Sequence, residues 1–326
     1  MAKATFLFAD TPPMNTSWYR CLIPAKYLGL AGHEIVIVRS DELKPDQISE
    51  VMLVERELNP DMLRTIRACG AKRIIVTFDD AYHIIPRELE RAWNYWRGQG
   101  HLATFRKVLK QVEGAVVPSR LLADDYGADY LPNYLDPELW PKTDSPNLEN
   151  RPIVIGWGGS QGHALTWRDP IFAQALNRIT QEFPNVELRI YGAVADNSLQ
   201  QVNVPFQAQP WLDFEKWPAE VRQFNIGLAP LNGGYDLRRS NLKLLEYGAA
   251  GVPFVATNGG EYRSAPGGIL VSNIAEEWYR ALKHLIRNPE LRQRLGAAGR
   301  KWVEERWFMP QRVREYERVL WPEAYP

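Results

Sequence analysis

The sequence predicts an α/β protein made of two consecutive parallel sheets with crossover helices. Three observations carry that expectation. Short apolar runs alternate with amphipathic, helix-period stretches along the whole chain. Several of the helix-period stretches end at a glycine, the residue that most readily takes the left-handed stop position. At 326 residues the chain exceeds one ordinary core and suits two domains of about 150 residues each.

In the first half the candidate strands are Thr5–Ala9, Glu34–Val38, Val51–Val54, Arg73–Phe78, Gly114–Val117 and Asp129–Leu131. Between the first two, Trp18–Ala31 reads as a helix stopped by Gly32, and Pro60–Ala68 as another stopped by Gly70. The segment Arg87–Lys110 carries Trp93, Tyr95, Trp96 and Phe105 among many basic residues. It reads as one or two amphipathic helices packed on the sheet, with acceptor or membrane-surface contact as the alternative. The first domain is expected to span 1–142. Pro141–Arg151, with two prolines and several small polar residues, is the linker candidate.

A second domain, 152–307, opens with the strand pattern Pro152–Trp157 and the run Gly158-Gly159-Ser160-Gln161-Gly162-His163. Read as a loop between strand and helix, that run lets backbone amides approach a phosphate. It lacks the GxxxxGK of a P-loop, and its glycine spacing is not the dinucleotide fingerprint. Strand patterns continue at Val186–Tyr191, Ile226–Pro230, Phe254–Thr257 and Ile269–Val271, with a loop expected from Gly192 to Gln209. Helices are expected at Ala275–Arg287 and Pro289–Arg306, and an amphipathic tail helix at Pro310–Leu320.

The most informative stretch lies between the third and fourth of these strands. Ser240 is placed to cap a helix whose apolar stripe is Leu242, Leu245 and Ala249, with Gly251 at the stop and Pro253 beyond. Arg238 and Arg239 stand just ahead of the cap and Lys243 in the first turn. Three cations at the positive end of a helix dipole oppose it unless an anion is there, so a phosphate or diphosphate is the natural guest. Glu246, at i+3 from Lys243, could accept hydrogen bonds from a ribose diol. An ordinary surface Lys–Glu pair has the same spacing.

Ligands of open α/β sheets bind outside the carboxyl ends of the strands. That singles out Asp10–Arg20, the turn Asp79-Asp80-Ala81-Tyr82-His83, and Pro118-Ser119-Arg120. Asp79 and Asp80 fit a general base, a metal pair or simple turn capping; His83 fits a structural or a catalytic role.

Composition removes other classes. With 39 basic and 39 acidic residues, bulk charge gives no drive toward nucleic acid. Two distant cysteines, Cys21 and Cys69, suggest a reduced, cytoplasmic setting with no disulfide framework or thiolate metal site. No apolar run approaches the roughly 20 residues that span a bilayer, and the N-terminus is too short ahead of its first strand to be a signal peptide. HExxH, GxSxG and Cys/His clusters are absent. The twelve tryptophans are expected mainly as packing residues, a minority stacking on sugars or lying at a membrane surface.

Taken in order, these residues resemble GT-B glycosyltransferases, specifically the retaining family 4 group ("glycosyl transferases group 1"). Tyr19-Arg20 with Pro24 and Gly32-His33-Glu34 resemble that family's opening. Phe78-Asp79-Asp80 resembles an Asp-Asp element of some members. Val117-Pro118-Ser119 and Leu131-Pro132-Asn133-Tyr134-Leu135-Asp136 resemble the signatures near its domain junction. Ile155–Ser160 and Asn225–Leu231 resemble two donor-domain strands. Ser240–Tyr247 with Ala250-Gly251-Val252-Pro253 is the most specific element.

The resemblance implies two Rossmann-like domains facing across a cleft, the first for the acceptor and the second for the donor. It also implies a tail, 308–326, that crosses back to the first domain. The co-substrate would be a UDP- or GDP-linked sugar and the acceptor a saccharide or a lipid-linked molecule. No metal or other cofactor, and no nucleic-acid partner, is expected. Arg239 and Lys243 would hold the leaving diphosphate, with Gly158, Gly159, Ser160, Arg238, Ser240, Asn241 and Glu246 around the donor. Asp79, Asp80 and His83 would be the candidate bases if configuration were inverted.

Glycoconjugate or polysaccharide assembly in the cytoplasm, with peripheral contact at the inner face of the membrane, is the setting the resemblance suggests. One position departs: the family pairs two glutamates eight apart, and eight before Glu246 stands Arg238. A nucleotide-sugar 2-epimerase and a catalytically inactive donor-binding subunit are the rival functions.

Overall fold

The computed structural model describes residues 1–9, 15–56, 58–142, 152–167, 169–192 and 206–325. It divides into two compact units. The first comprises Met1–Pro137, Arg238–Ser240 and Trp307–Pro326; the second comprises Glu138–Leu237 and Asn241–Arg306.

The first unit is built on β1 (Lys3–Phe8), β2 (Glu34–Arg39), β3 (Val51–Glu55), β4 (Arg73–Thr77), β5 (Gly114–Val117) and β6 (Asp129–Tyr130). They form one parallel sheet in the order β2-β1-β3-β4-β5-β6. Its middle strands are buried, which is why Met52–Val54 and Ile74–Val76 read as unbroken apolar runs and not as alternating ones. The crossover helices include α1 (Ile23–Leu30), α2 (Pro60–Ala68), α3 (His101–Leu109) and α4 (Arg120–Tyr126).

Local chemistry fixes their ends. Asn59 accepts the Met62 N–H (2.8 Å) ahead of α2, Ser119 accepts that of Leu122 (3.3 Å) ahead of α4, and Gly127 closes α4 at φ 62°. The expected helix from Trp18 begins with a π-helical segment, Trp18–Leu22, before α1. The expected Arg87–Lys110 helix is broken into Glu90–Trp93, a π segment Asn94–Gly98 and α3, with Gly100 at φ 78° between the last two.

The tail completes this unit. Met309–Gln311 is a single 3₁₀ turn, and the last helix runs Val313–Leu320. The Arg73 guanidinium donates to the Val319 carbonyl (2.9 and 3.1 Å), and His33 Nε2 lies 2.9 Å from the buried Glu317 carboxylate. Leu135 exchanges backbone hydrogen bonds with Trp307 and Met309, both 2.9 Å.

The second unit has β7 (Ile153–Gly159), β8 (Val186–Gly192), β9 (Phe206–Gln209), β10 (Ile226–Ala229), β11 (Phe254–Thr257) and β12 (Gly268–Val271). The sheet is again parallel, in the order β12-β11-β10-β7-β8-β9. Helices α5 (Pro170–Glu182), α6 (Leu242–Ala250), α7 (Ala275–Arg287) and α8 (Pro289–Arg306) cover it. Ile155, Trp157, Phe172, Leu176, Leu188, Ile190, Leu228, Trp278 and Leu282 belong to its core. Helices α6 and α8 meet at glycines: a Cβ on Gly296 would lie 2.0 Å from the Gly251 carbonyl oxygen, and one on Gly248 2.9 Å from that of Gly299.

Two expectations are corrected here, and a third is left outside the described residues. Part of the stretch expected as a loop, Phe206–Gln209, is the edge strand β9; its two middle residues are exposed, so it lacks the apolar run that marks a buried strand. Gly158 and Gly159 continue β7, paired with Tyr191 and Gly192, and do not form a loop. The linker candidate lies, beyond Lys142, outside the described residues.

Candidate functional site

In the second unit the chemistry gathers where the carboxyl end of β7 meets the first turn of α6. The Lys243 ammonium donates to the Gly158 carbonyl (2.6 Å) and lies 4.9 Å from the centroid of the fully buried Trp157 ring. Both contacts fix where the ammonium stands, at the carboxyl end of β7. The Tyr247 hydroxyl, 2.8 Å from the Leu228 carbonyl oxygen and 3.4 Å from that of Gly156, fastens α6 to β10 and β7. Glu246, one turn after Lys243, is buried at 6 % exposure.

The glycines here serve packing. A Cβ on Gly156 would enter the Phe224 ring, one on Gly158 would meet Trp217, and one on Gly159 would meet Trp157. Ser160 follows at the surface, its carbonyl accepting the His163 N–H at 3.0 Å.

The cap of α6 differs from the sequence reading. Asn241, not Ser240, holds the N-cap position, at φ −79° and ψ 15°, and no side chain caps the first turn. A residue already near helical torsions points its side chain away from the amides it would have to cover. The Asn241 Oδ1 is buried and has no partner among the described residues. Just upstream, Asp236 accepts from Thr166 Oγ1 (2.5 Å) and the Asn232 N–H (3.0 Å), which makes it a turn anchor. No motif marks that role.

The remaining candidates fall in the first unit, because Arg238–Ser240 belongs to it. Arg238 forms a two-pronged ion pair with Asp125, its Nη2 at 3.1 Å, and its carbonyl accepts the Ser119 hydroxyl at 2.6 Å. Arg239 stands 3.9 Å from Asp80, and the Ser240 hydroxyl accepts from Asn133 Nδ2 (3.2 Å). Asn133 also accepts from Arg20 (3.1 Å), a 1 % exposed guanidinium that donates as well to Thr77 Oγ1 (2.8 Å) and the Leu131 carbonyl (2.6 Å).

Both ring nitrogens of His83 have neighbours: Nε2 is 3.3 Å from Asp125 and Nδ1 3.3 Å from the Tyr126 hydroxyl. Burial lowers its pKa; Asp125 opposes that shift and Arg238 adds to it.

Asp79 sits just past β4, its Oδ2 accepting the Thr16 hydroxyl (2.9 Å) while Oδ1 is buried and unpartnered among the described residues. Burial, and then the Asp80 carboxylate, push its pKa up to about 6 against the pull of Arg56. At the end of β3, Glu55 is buried and accepts from the Ala9 N–H (3.1 Å), Ser17 Oγ (2.5 Å) and Arg56 (3.0 and 2.9 Å). Arg56, at φ 56°, is the one described non-glycine residue in the left-handed region. Asp79 was singled out from the sequence; Glu55 and Arg56 were not, and a charged pair at the end of an apolar strand is their only mark there.

A carboxyl whose folded pKa exceeds its unfolded value favours the folded state most when both states are protonated. That advantage fades as pH rises through the folded pKa. Stability is therefore expected to fall between about pH 4 and pH 6, and Asp79→Asn to flatten that slope. Urea titrations at fixed pH read it directly; equal slopes in both proteins would refute the assignment.

Among the described residues, no group of three or more His, Cys, Asp and Glu is gathered as metal ligands would be. None of their helices is long and apolar enough to cross a membrane.

Residues 165–288 match the family described as Glycosyl transferases group 1. No curated protein sequence matches the chain. Among solved structures, the chain is similar to sucrose-phosphate synthase from Thermosynechococcus elongatus, at TM-score 0.71 and 12 % identity over 98 % of each chain. It is also similar to HepE of Anabaena in complex with UDP and glucose, at TM-score 0.67 and 12 % identity over 96 % of this chain and 98 % of the other. A third is an alpha-glucosyltransferase in complex with UDP and a 13-mer DNA, at TM-score 0.68 and 11 % identity over 98 % and 99 %. The resemblance read from the motifs therefore holds: the chain has the α/β GT-B fold, and most of its second unit carries the pattern of the group 1 glycosyl transferases.

Proposed function

We propose that this protein is a glycosyltransferase that moves a sugar from a nucleoside-diphosphate donor to a saccharide or lipid-linked acceptor. The carrying observation is Lys243, held at the end of β7 by the Gly158 carbonyl and the Trp157 ring, one turn before the buried Glu246. Breaking the bond from the sugar to the diphosphate builds negative charge on the leaving oxygen. Preorganised cations and helix amides aimed at that charge are the largest available catalytic contribution.

In this reading Lys243 and the uncapped first turn of α6 receive the diphosphate, and the Asn241 and Glu246 side chains face the nucleoside. In the first unit, the turn with Asp79, Asp80 and His83 serves the acceptor. No metal has a part in this reading. Two of the similar structures were solved with UDP, which supports the choice of donor class.

Calorimetry with UDP and GDP tests the reading. Nucleotide at 100 times its dissociation constant should stabilise the fold by about 2.7 kcal/mol. Absence of heat and of a thermal shift with both nucleotides would end it. A donor-binding subunit without catalysis is the second reading, favoured by one observation: Arg238, where the family has a glutamate, is paired with Asp125. Transfer, or even slow donor hydrolysis, would rule that second reading out.

A further inference from the structure

We infer that Thr16 and Asp79 form a hydroxyl-binding relay at the carboxyl ends of the first unit's strands, and that the ligand it takes is the nucleophilic hydroxyl of a neutral acceptor. The inference rests on the transferase reading and adds to it the polarity of the acceptor group.

A threonine hydroxyl has one proton and two lone pairs. The Thr16 proton is committed to Asp79 Oδ2 at 2.9 Å. Its oxygen is thereby left as an acceptor only, so it takes a partner that donates, such as an alcohol, and turns away a carboxylate or phosphate. Thr16 is half-buried, so it carries the pull of the carboxylate behind it toward the surface. An ionised group at the end of such a chain polarises each bond in it.

The second observation is Asp79 Oδ1, buried and without a partner among the described residues. A buried carboxylate oxygen left bare is costly, and in a native fold it calls for a functional explanation. The surroundings hold Asp79 in place. Arg56, turned to φ 56° and fixed by both prongs on Glu55, is the cation that favours its ionised form. Asp80 beside it, Glu55 at the end of β3 and Tyr82 in the following turn are the other titratable groups that bear on it. Arg56 is thus a positioning residue: it acts on the acceptor only through Asp79.

The test follows nucleotide release from UDP-glucose and GDP-mannose with water and with glycerol as the hydroxyl probes. Nucleotide affinity is measured in parallel by calorimetry. Thr16→Val and Asp79→Asn are expected to lower release at least tenfold with nucleotide affinity unchanged, and Thr16→Ser to stay within threefold of the wild type. Because the relay works with Asp79 ionised, the rate should rise with pH through about 6. Arg56→Gln removes the cation that favours ionisation, so the acidic limb should move to higher pH, and Arg56→Lys should restore it. A merely structural Arg56 would lower the rate at every pH without moving the limb.

Unchanged release in Thr16→Val or Asp79→Asn with intact nucleotide binding overturns this assignment alone. So does an unmoved limb in Arg56→Gln, or a wild type that binds nucleotide yet releases none. Loss of nucleotide binding in the wild type would overturn the donor reading and this assignment with it.

Discussion

Lys243→Ala is expected to lower sugar transfer by about 10²–10³-fold, the loss typical of removing one preorganised donor from a developing oxyanion. The same variant should bind UDP or GDP more weakly, since its ammonium is the charge at the head of α6. The fold should persist: Lys243 is only half-buried, and its ammonium lies over the Trp157 ring. Lys243→Met separates the two contributions. It keeps an unbranched apolar side chain of similar length and removes the charge, so it should lose transfer as fully as alanine does while melting at the wild-type temperature. Initial rates of nucleotide release and thermal melts read both quantities. A rate within threefold of the wild type would take α6 out of the mechanism.

Gly296→Ala is expected to destabilise the second unit by about 3 kcal/mol, at the upper end of overpacking costs. The added methyl would lie 2.0 Å from the Gly251 carbonyl oxygen and 2.9 Å from its carbon, so backbone meets backbone and no rotamer change relieves it. Helices α6 and α8 must separate, and the atoms they share elsewhere lose contact. Gly251→Ala is the control: no atom lies within 4 Å of its Cβ, and its cost comes only from holding φ 69°, about 1 kcal/mol. Urea midpoints at constant m-value give both numbers. If Gly296→Ala cost no more than Gly251→Ala, the helices would not be in backbone contact.

How much of this was readable in advance depended on whether a feature was local. Helices α2, α7 and α8 follow from patterns local to their own segments, and their bounds were read from sequence as observed. The buried strands announced themselves as apolar runs. Strand β9 did not, because an edge strand with exposed middle residues looks like loop. Gly158 and Gly159 suggested a phosphate turn, since glycine records only the lack of a side chain. Whether a ligand or an aromatic ring uses that space depends on Trp217 and Trp157, and Trp217 lies far along the chain. Ser240 and Asn241 are equally good caps by residue type, and the Ser240 hydroxyl is engaged by Asn133, more than a hundred positions upstream.

The same limit explains the first unit's corner. Lys243 and Glu246 were legible as a pair because one helix turn relates them. Thr16, Glu55, Arg56 and Asp79 come from separate stretches that only the sheet order brings together, with β1, β3 and β4 side by side. Nothing in any one stretch names the others.

The first unit takes its residues from three places in the sequence, the last being Trp307–Pro326. A ribosome making this chain emits the opening sheet, then the whole second unit, and only afterwards the helix whose carbonyl receives Arg73 and whose Glu317 meets His33. Until then those two side chains wait without their partners. The unit begun first thus gains this helix only after the second unit has been made.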